Sequence, residues 1–171
     1  MKRLLFLTIV LLFSSIVSPG QTSESFDIAT FEIPKGWNKE VSEDHLQISS
    51  QDKAAGTFCL ITVYKSVPAG SDPKENFRAS WKSLVKERMS PTAEPVMPLT
   101  KNDEGGWQLE MGHAPFENKA GKGGAILVTI SGFGKMLNTM ILTNSGAYDA
   151  EIRAFMESAD LKKPLSIPSK R

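Results

Sequence analysis

Three features of this sequence predict an α+β fold: a mainly antiparallel sheet with helices packed on both faces, an α-β-α sandwich. Strand-like and helix-like segments come in blocks, in the order strands, helix, strands, helix. The strand-like segments are joined by short turn signals, which make hairpins, and not by the helical crossovers that parallel strands need. Thr57 to Lys65 is apolar on both faces, which places it centrally in a sheet covered on both sides.

Taken in order, Phe26 to Ile33 alternates, with Phe26 and Ile28 followed by Phe31 and Ile33, and it ends at the turn signal Pro34-Lys35-Gly36. Trp37 to Val41 and His45 to Ser49 are short strands around a polar turn. In Thr57 to Lys65, Cys59, Ile61 and Val63 share one face, and Phe58, Leu60 and Tyr64 share the other. A helix opens at Ser71-Asp72-Pro73-Lys74-Glu75. Asp72 can cap it, Pro73 suits the first helical position, and Glu75 suits the positive end of the helix dipole. Its buried face is Phe77, Trp81, Leu84 and Val85, at i, i+4, i+7 and i+8, and it ends before Pro91.

A connection rich in proline (Pro91, Pro95, Pro98) leads to Gly106 to Gly112, where Trp107, Leu109 and Met111 alternate with Gln108 and Glu110. Gly121 to Gly124 reads as a flexible turn. Ala125 to Ser131 and Met136 to Thr143 form a hairpin through Gly132-Phe133-Gly134-Lys135. The last helix starts at Asn144-Ser145-Gly146, with Tyr148, Ile152, Phe155, Met156 and Ala159 on its core face.

The domain plan is a signal peptide at 1–20, one domain at 21–161 and a flexible tail at 162–171, where Pro164 and Pro168 lie among lysines. Lys2 and Arg3 precede an apolar run from Leu4 to Val17. Ser18-Pro19-Gly20 then puts small residues at −3 and −1 of a cut before Gln21. The run is about 14 residues, short of the roughly 20 that span a bilayer. This reading sends the protein to the bacterial periplasm or exterior. A lipid anchor at the cut would need a cysteine there, and the single cysteine is Cys59. What remains, about 150 residues, suffices for one core. The whole chain carries +1 and residues 1–20 carry +2, so the mature chain carries 1 − 2 = −1, a balance that points to neither nucleic acid nor membrane. One cysteine forms no internal disulfide, and its apolar surroundings suggest a small buried hydrophobe.

The stretch Phe31-Glu32-Ile33-Pro34-Lys35-Gly36-Trp37 resembles the opening of the PsbP-like superfamily, where a strand runs into a Pro-x-Gly-Trp turn. The helix with Phe77, Trp81, Leu84 and Val85 takes the place of that fold's first long helix. Gly105-Gly106-Trp107 and Ile130-Ser131-Gly132-Phe133-Gly134-Lys135 are similar to segments of exported bacterial proteins of unassigned role. The resemblance implies an α-β-α sandwich used for binding. The superfamily includes photosystem extrinsic subunits and a nuclear-transport cofactor, which share no single ligand, and none of its metal- or partner-binding residues matches a position here.

Residues suited to chemistry are sparse. His45 and His113 lie far apart in the chain and in no H-E-x-x-H spacing. Ser131-Gly132 is not set in G-x-S-x-G, and Gly121-Lys122-Gly123-Gly124 lacks the order of a phosphate loop. Met111, Met136, Met140 and Met156 fall on apolar faces, as core packing does. Lys74, Arg78, Lys82 and Lys86 recur every four residues and form a basic stripe, at a cost of about 0.2–0.5 kcal/mol per like-charged pair. The stripe suits an anionic envelope surface, an acidic glycan or an acidic protein. Its plainer reading is a solvated face whose cations pair with nearby carboxylates. The expectation is therefore a monomeric, non-enzymatic binding or accessory domain, without cofactor or metal, that meets a protein or envelope component. A small hydrolase with a site around His45 or His113 is the alternative; a pocket holding either histidine beside a carboxylate would favour it.

Overall fold

A computed structural model describes residues 22–102, 105–118 and 121–163. The predicted signal peptide, the predicted cut before Gln21 and the tail beyond Lys163 lie outside the described residues. Local turn chemistry sets where the chain doubles back. β1 (Thr22–Phe26) and β2 (Ala29–Ile33) form a hairpin around Asp27-Ile28, with Asp27 at φ 53. Phe26 to Ile33 is thus two strands and a turn, and not the single strand that its alternation suggests. Asp27 tolerates the left-handed region, and its carboxylate accepts at 2.7 Å from the backbone N–H of Ser66, a residue far along the chain.

β3 (Asn38–Val41), β4 (His45–Asp52) and β5 (Thr57–Tyr64) follow as an antiparallel meander, and β6 (Val67–Pro68) is a short strand after them. α1 (Pro73–Ser80) is capped as expected: the Asp72 side chain accepts from Lys74 N, and Pro73 begins the helix. The helical path then widens into a π segment (Trp81–Lys86), where Glu87 N donates to Lys82 O, and closes in α2 (Glu87–Met89). Ser90, at φ 52, ends it just before Pro91.

The proline-rich connection is partly a strand, β7 (Val96–Asn102). It pairs with β8 (Gln108–Asn118), with an irregularity between Val96 and Leu99. β9 (Gly121–Gly132) and β10 (Lys135–Thr143) complete the large sheet. Its order is β3-β4-β5-β10-β9-β8-β7, antiparallel throughout, with β6 also paired to β10. A 3-10 turn (Gly146–Tyr148) leads into α3 (Asp149–Ser158), and β11 (Asp160–Leu161) joins the small sheet β1-β2-β11. Lys162 N extends that register by donating to Ile28 O at 2.9 Å.

The fold is mixed α+β with antiparallel sheets. β5 is central, as its two apolar faces predict. Cys59, Ile61 and Val63 enter one hydrophobic cluster, which holds Phe31, Leu137, Ile141 and Phe155. Phe58, Leu60 and Tyr64 border a second, which holds Phe77, Trp81, Val85, Phe116, Met140 and Leu142.

Three expectations change in β8, β9 and α3. In β8 the buried positions are Glu110, Gly112, Ala114 and Phe116, while Leu109 and Met111 are only half-buried. The reason is the helix. A Cβ at Gly112 would come within 2.6 Å of the Phe77 ring, so α1 lies over the small-residue face of β8. Gly121 to Gly124 is strand and not a flexible turn, since all four pair in β9. At Gly123 the lack of a side chain serves close approach, since a Cβ there would lie 2.6 Å from Thr143 O. Ala159 follows α3 and is exposed, so the core face of that helix ends with Met156. The predicted hairpin turn is observed, with Phe133 at φ 54 and Gly134 at φ 73 between paired Gly132 and Lys135. Two consecutive positive φ values match the twist of a two-residue hairpin.

Candidate functional site

The helix and π segment have hollows on both sides over the second cluster. On one side a cleft of about 270 Å³ is lined by Arg78, Lys82 and Lys86, with Phe77, Trp81, Glu94 and Pro95 completing it. The connection after the helix supplies Glu94 and Pro95. It is brought back by the Pro91–Phe116 bridge and by Thr92 N donating to Pro115 O at 2.9 Å. Three of the four predicted basic residues therefore share one concavity. Lys74 does not line it.

The stripe is partly neutralised. Arg78 pairs with Glu75 one turn earlier, and Lys86 Nζ lies 3.4 Å from Glu94 Oε1. Both are exposed pairs of the kind worth about 0–1 kcal/mol. Among the described residues, Lys74 and Lys82 have no ion-pair partner. Trp81 is 4% exposed and stacks on Phe77, with ring centroids 5.8 Å apart. Its indole Nε1 is buried and has no acceptor among the described residues.

On the other side, two adjoining hollows of about 430 and 340 Å³ share Asp44, Tyr64 and Leu84. The larger reaches Lys65, Ser83 and Asn138, and the smaller holds His45, Thr62 and Arg88. His45 Nδ1 lies 2.7 Å from Asp44 Oδ1, so one of the two histidines stands beside a carboxylate in a hollow. That hydrogen bond to His45 holds the Asp44 carboxyl below its ordinary value, with Arg88 adding a smaller pull. Burial pushes the Tyr64 hydroxyl upward, against the opposing charge of Arg88. Asp44 itself is exposed, and no nucleophile elbow or second histidine accompanies the pair.

His113 is elsewhere. It lies on β8, exposed, and β5, β10 and β9 separate it from His45 on β4. Four inter-strand steps of about 4.8 Å put the two roughly 19 Å apart, too far to share one metal ion. Among the described residues no three His, Cys, Asp or Glu side chains group as metal ligands. No helix among the described residues is long and apolar enough to cross a membrane.

Sequence reasoning missed three features here. The π segment leaves no mark in an i, i+4 pattern, although π-helical turns gather at functional sites. Arg88 and Tyr64 meet Asp44 and His45 only through the packing of the helix on β4 and β5. Phe133, 52% exposed on its hairpin turn, stands edge-on to Trp107 with centroids 5.1 Å apart. The one available hint was a bulky residue between two glycines at a position that favours positive φ.

No family model matches the chain, and no curated protein matches it. Solved structures do resemble its fold. One is a crystal structure of a protein from Bacteroides thetaiotaomicron VPI-5482, with a TM-score of 0.52 and 12% sequence identity. The match covers 79% of this chain and 45% of that one, so this chain spans less than half of that protein's length. At such identity the likeness concerns the fold alone.

Proposed function

We propose that this protein is an exported, non-enzymatic binding or accessory domain that meets a protein or envelope component through the basic face of its first helix. One observation carries the reading. Arg78, Lys82 and Lys86 converge on a cleft beside a π segment, instead of standing apart on a convex face. A π segment gives up regular α-helical hydrogen bonding and is frequently found at functional sites. On this reading residues 1–20 are removed before Gln21, and the mature domain is a monomeric α-β-α sandwich of PsbP-like type. Alternate residues of β10 enter the two clusters, Leu137 and Ile141 with α3 and Met140 and Leu142 with α1, which supports a helix on each face.

The test is retention on anionic lipid vesicles and on the cell's own envelope fraction, at low and at physiological salt. Wild type is set beside a variant with Lys74, Arg78, Lys82 and Lys86 all replaced by Gln. Retention should fall with salt, because exposed charges are screened beyond about 8 Å at 0.15 M, and the variant should lose it. Gln has a helix propensity close to that of Lys and Arg, so the variant should melt as the wild type does or slightly higher. Equal retention of the two proteins would reduce the stripe to a solvated face. Mass spectrometry of the exported form should find Gln21 as its first residue.

A second reading, a hydrolase, is favoured by the Asp44–His45 pair in its hollow. A carboxylate that orients an imidazole is one part of a general-base arrangement. The reading gains if His45→Gln abolishes a measured hydrolysis while vesicle retention stays intact.

A further inference from the structure

The cleft beside the π segment has a cationic rim and an apolar floor. Its rim carries three positive side chains, Arg78, Lys82 and Lys86, against one carboxylate, Glu94, a net of 3 − 1 = +2. Counting Glu75, which holds Arg78 from outside the cleft, still leaves a positive site. Its floor is Pro95 with the stacked rings of Phe77 and Trp81, whose planes lie 27° apart. Apart from Glu94, the polar groups that the rim offers are donors: a guanidinium and two ammonium groups. A complementary ligand must therefore bring acceptors, negative charge and a flat apolar surface. At about 270 Å³ the cleft falls just under the roughly 300–1,000 Å³ usual for ligand sites, which suits one or two rings and excludes a whole lipid.

We propose that this cleft binds a free, compact aryl anion, an aromatic carboxylate or sulfonate, with its ring on Phe77, Trp81 and Pro95 and its oxyanion held by Arg78 and Lys82. Lys82 is the uncommitted cation, and Arg78 can offer two parallel N–H donors to one oxyanion. The assignment rests on the basic helix face being the binding surface and adds the class of small molecule that it takes.

The experiment follows the Trp81 indole resonance of ¹⁵N-labelled protein, one of three tryptophan signals, identified through Trp81→Phe. Naphthalene-2-sulfonate is titrated beside the neutral naphthalene-2-methanol and beside sodium sulfate. The sulfonate should shift the Trp81 signal saturably, the alcohol should bind at least tenfold more weakly, and sulfate should leave the signal in place. An Arg78→Gln, Lys82→Gln variant should weaken sulfonate binding at least tenfold with its melting point kept. Should the double variant not fold, Lys82→Gln alone breaks no ion pair and makes the same comparison. Equal affinity for sulfonate and alcohol, unchanged affinity in the variant, or the absence of a saturable Trp81 shift would each overturn the proposal. Envelope retention measured on the same samples separates the two ideas. Retention without sulfonate binding removes the ligand and keeps the surface reading, and sulfonate binding without retention does the reverse.

Discussion

Trp81 offers the sharpest test of the packing because two opposed terms meet on one side chain. It is 4% exposed, stacks on Phe77 and anchors the helix to the second cluster. Truncating a buried Trp to Ala costs about 3–5 kcal/mol through lost transfer energy and the cavity left behind. Its indole N–H, however, is buried without an acceptor among the described residues, a burden of about 1–3 kcal/mol that truncation removes. The difference of the central values is about 2 kcal/mol, an appreciable part of the 5–15 kcal/mol that holds a domain. In a domain of this size each kcal/mol moves the melting point by about 2–4 °C, so Trp81→Ala should melt about 4–8 °C lower. Trp81→Phe keeps a ring against Phe77 and discards the unpartnered N–H. It should lie within about 1 kcal/mol of wild type. Thermal and urea unfolding followed by circular dichroism would read both variants. The reasoning is refuted if Phe destabilises as much as Ala, or if Ala leaves the melting point unchanged.

Two further predictions concern ionisable groups. Burial pushes the Cys59 thiol up to about 12 from 9.0, so folded protein at pH 8 should resist a thiol reagent that labels it at once in denaturant. Because this pKa is raised by folding, the stability linked to it is full below about pH 9 and is lost as pH climbs toward 12, visible as a melting point that falls over that window in wild type more than in Cys59→Ala. Asp27 feels burial most, which raises its pKa. The hydrogen bonds from Ser66 and the charge of Lys135 together outweigh that and leave the carboxyl below 3.8. Its contribution is therefore present above about pH 4 and lost as pH falls through the lowered value. Asp27→Ala should destabilise by about 1–2 kcal/mol, from left-handed strain at φ 53 plus the lost contact to Ser66 N, and Asn at that position should recover much of it. Equal melting points for the Ala and Asn variants would remove the backbone argument.

Local chemistry made much of this chain legible in sequence. Asp72 and Pro73 start a helix because a side-chain acceptor and a missing N–H both suit its first turn. Phe133-Gly134 turns a hairpin because a two-residue turn needs two consecutive positive φ values, which the glycine takes without strain. β5 shows its central place because side chains on both of its faces must avoid water. Arg78, Lys82 and Lys86 were legible as basic neighbours as well, whereas Lys74 falls outside the cleft that they line.

What tertiary structure alone decided has one common cause: each case depends on a neighbour remote in the chain. Gly112 and Ala114 are buried in place of Leu109 and Met111 because Phe77 needs a shallow surface there. The small-residue face of a strand reads as its weak face until the helix that covers it is known. Asp27 splits what alternation presents as one strand because Ser66 is at hand to bond its carboxylate. The stripe becomes a cleft only where Pro91 bridges to Phe116 and carries Glu94 and Pro95 back beside the helix. Periodicity records which residues leave water, a property of each segment by itself. Which surfaces then meet is set by the free energy of packing the whole chain, and no single segment carries that information.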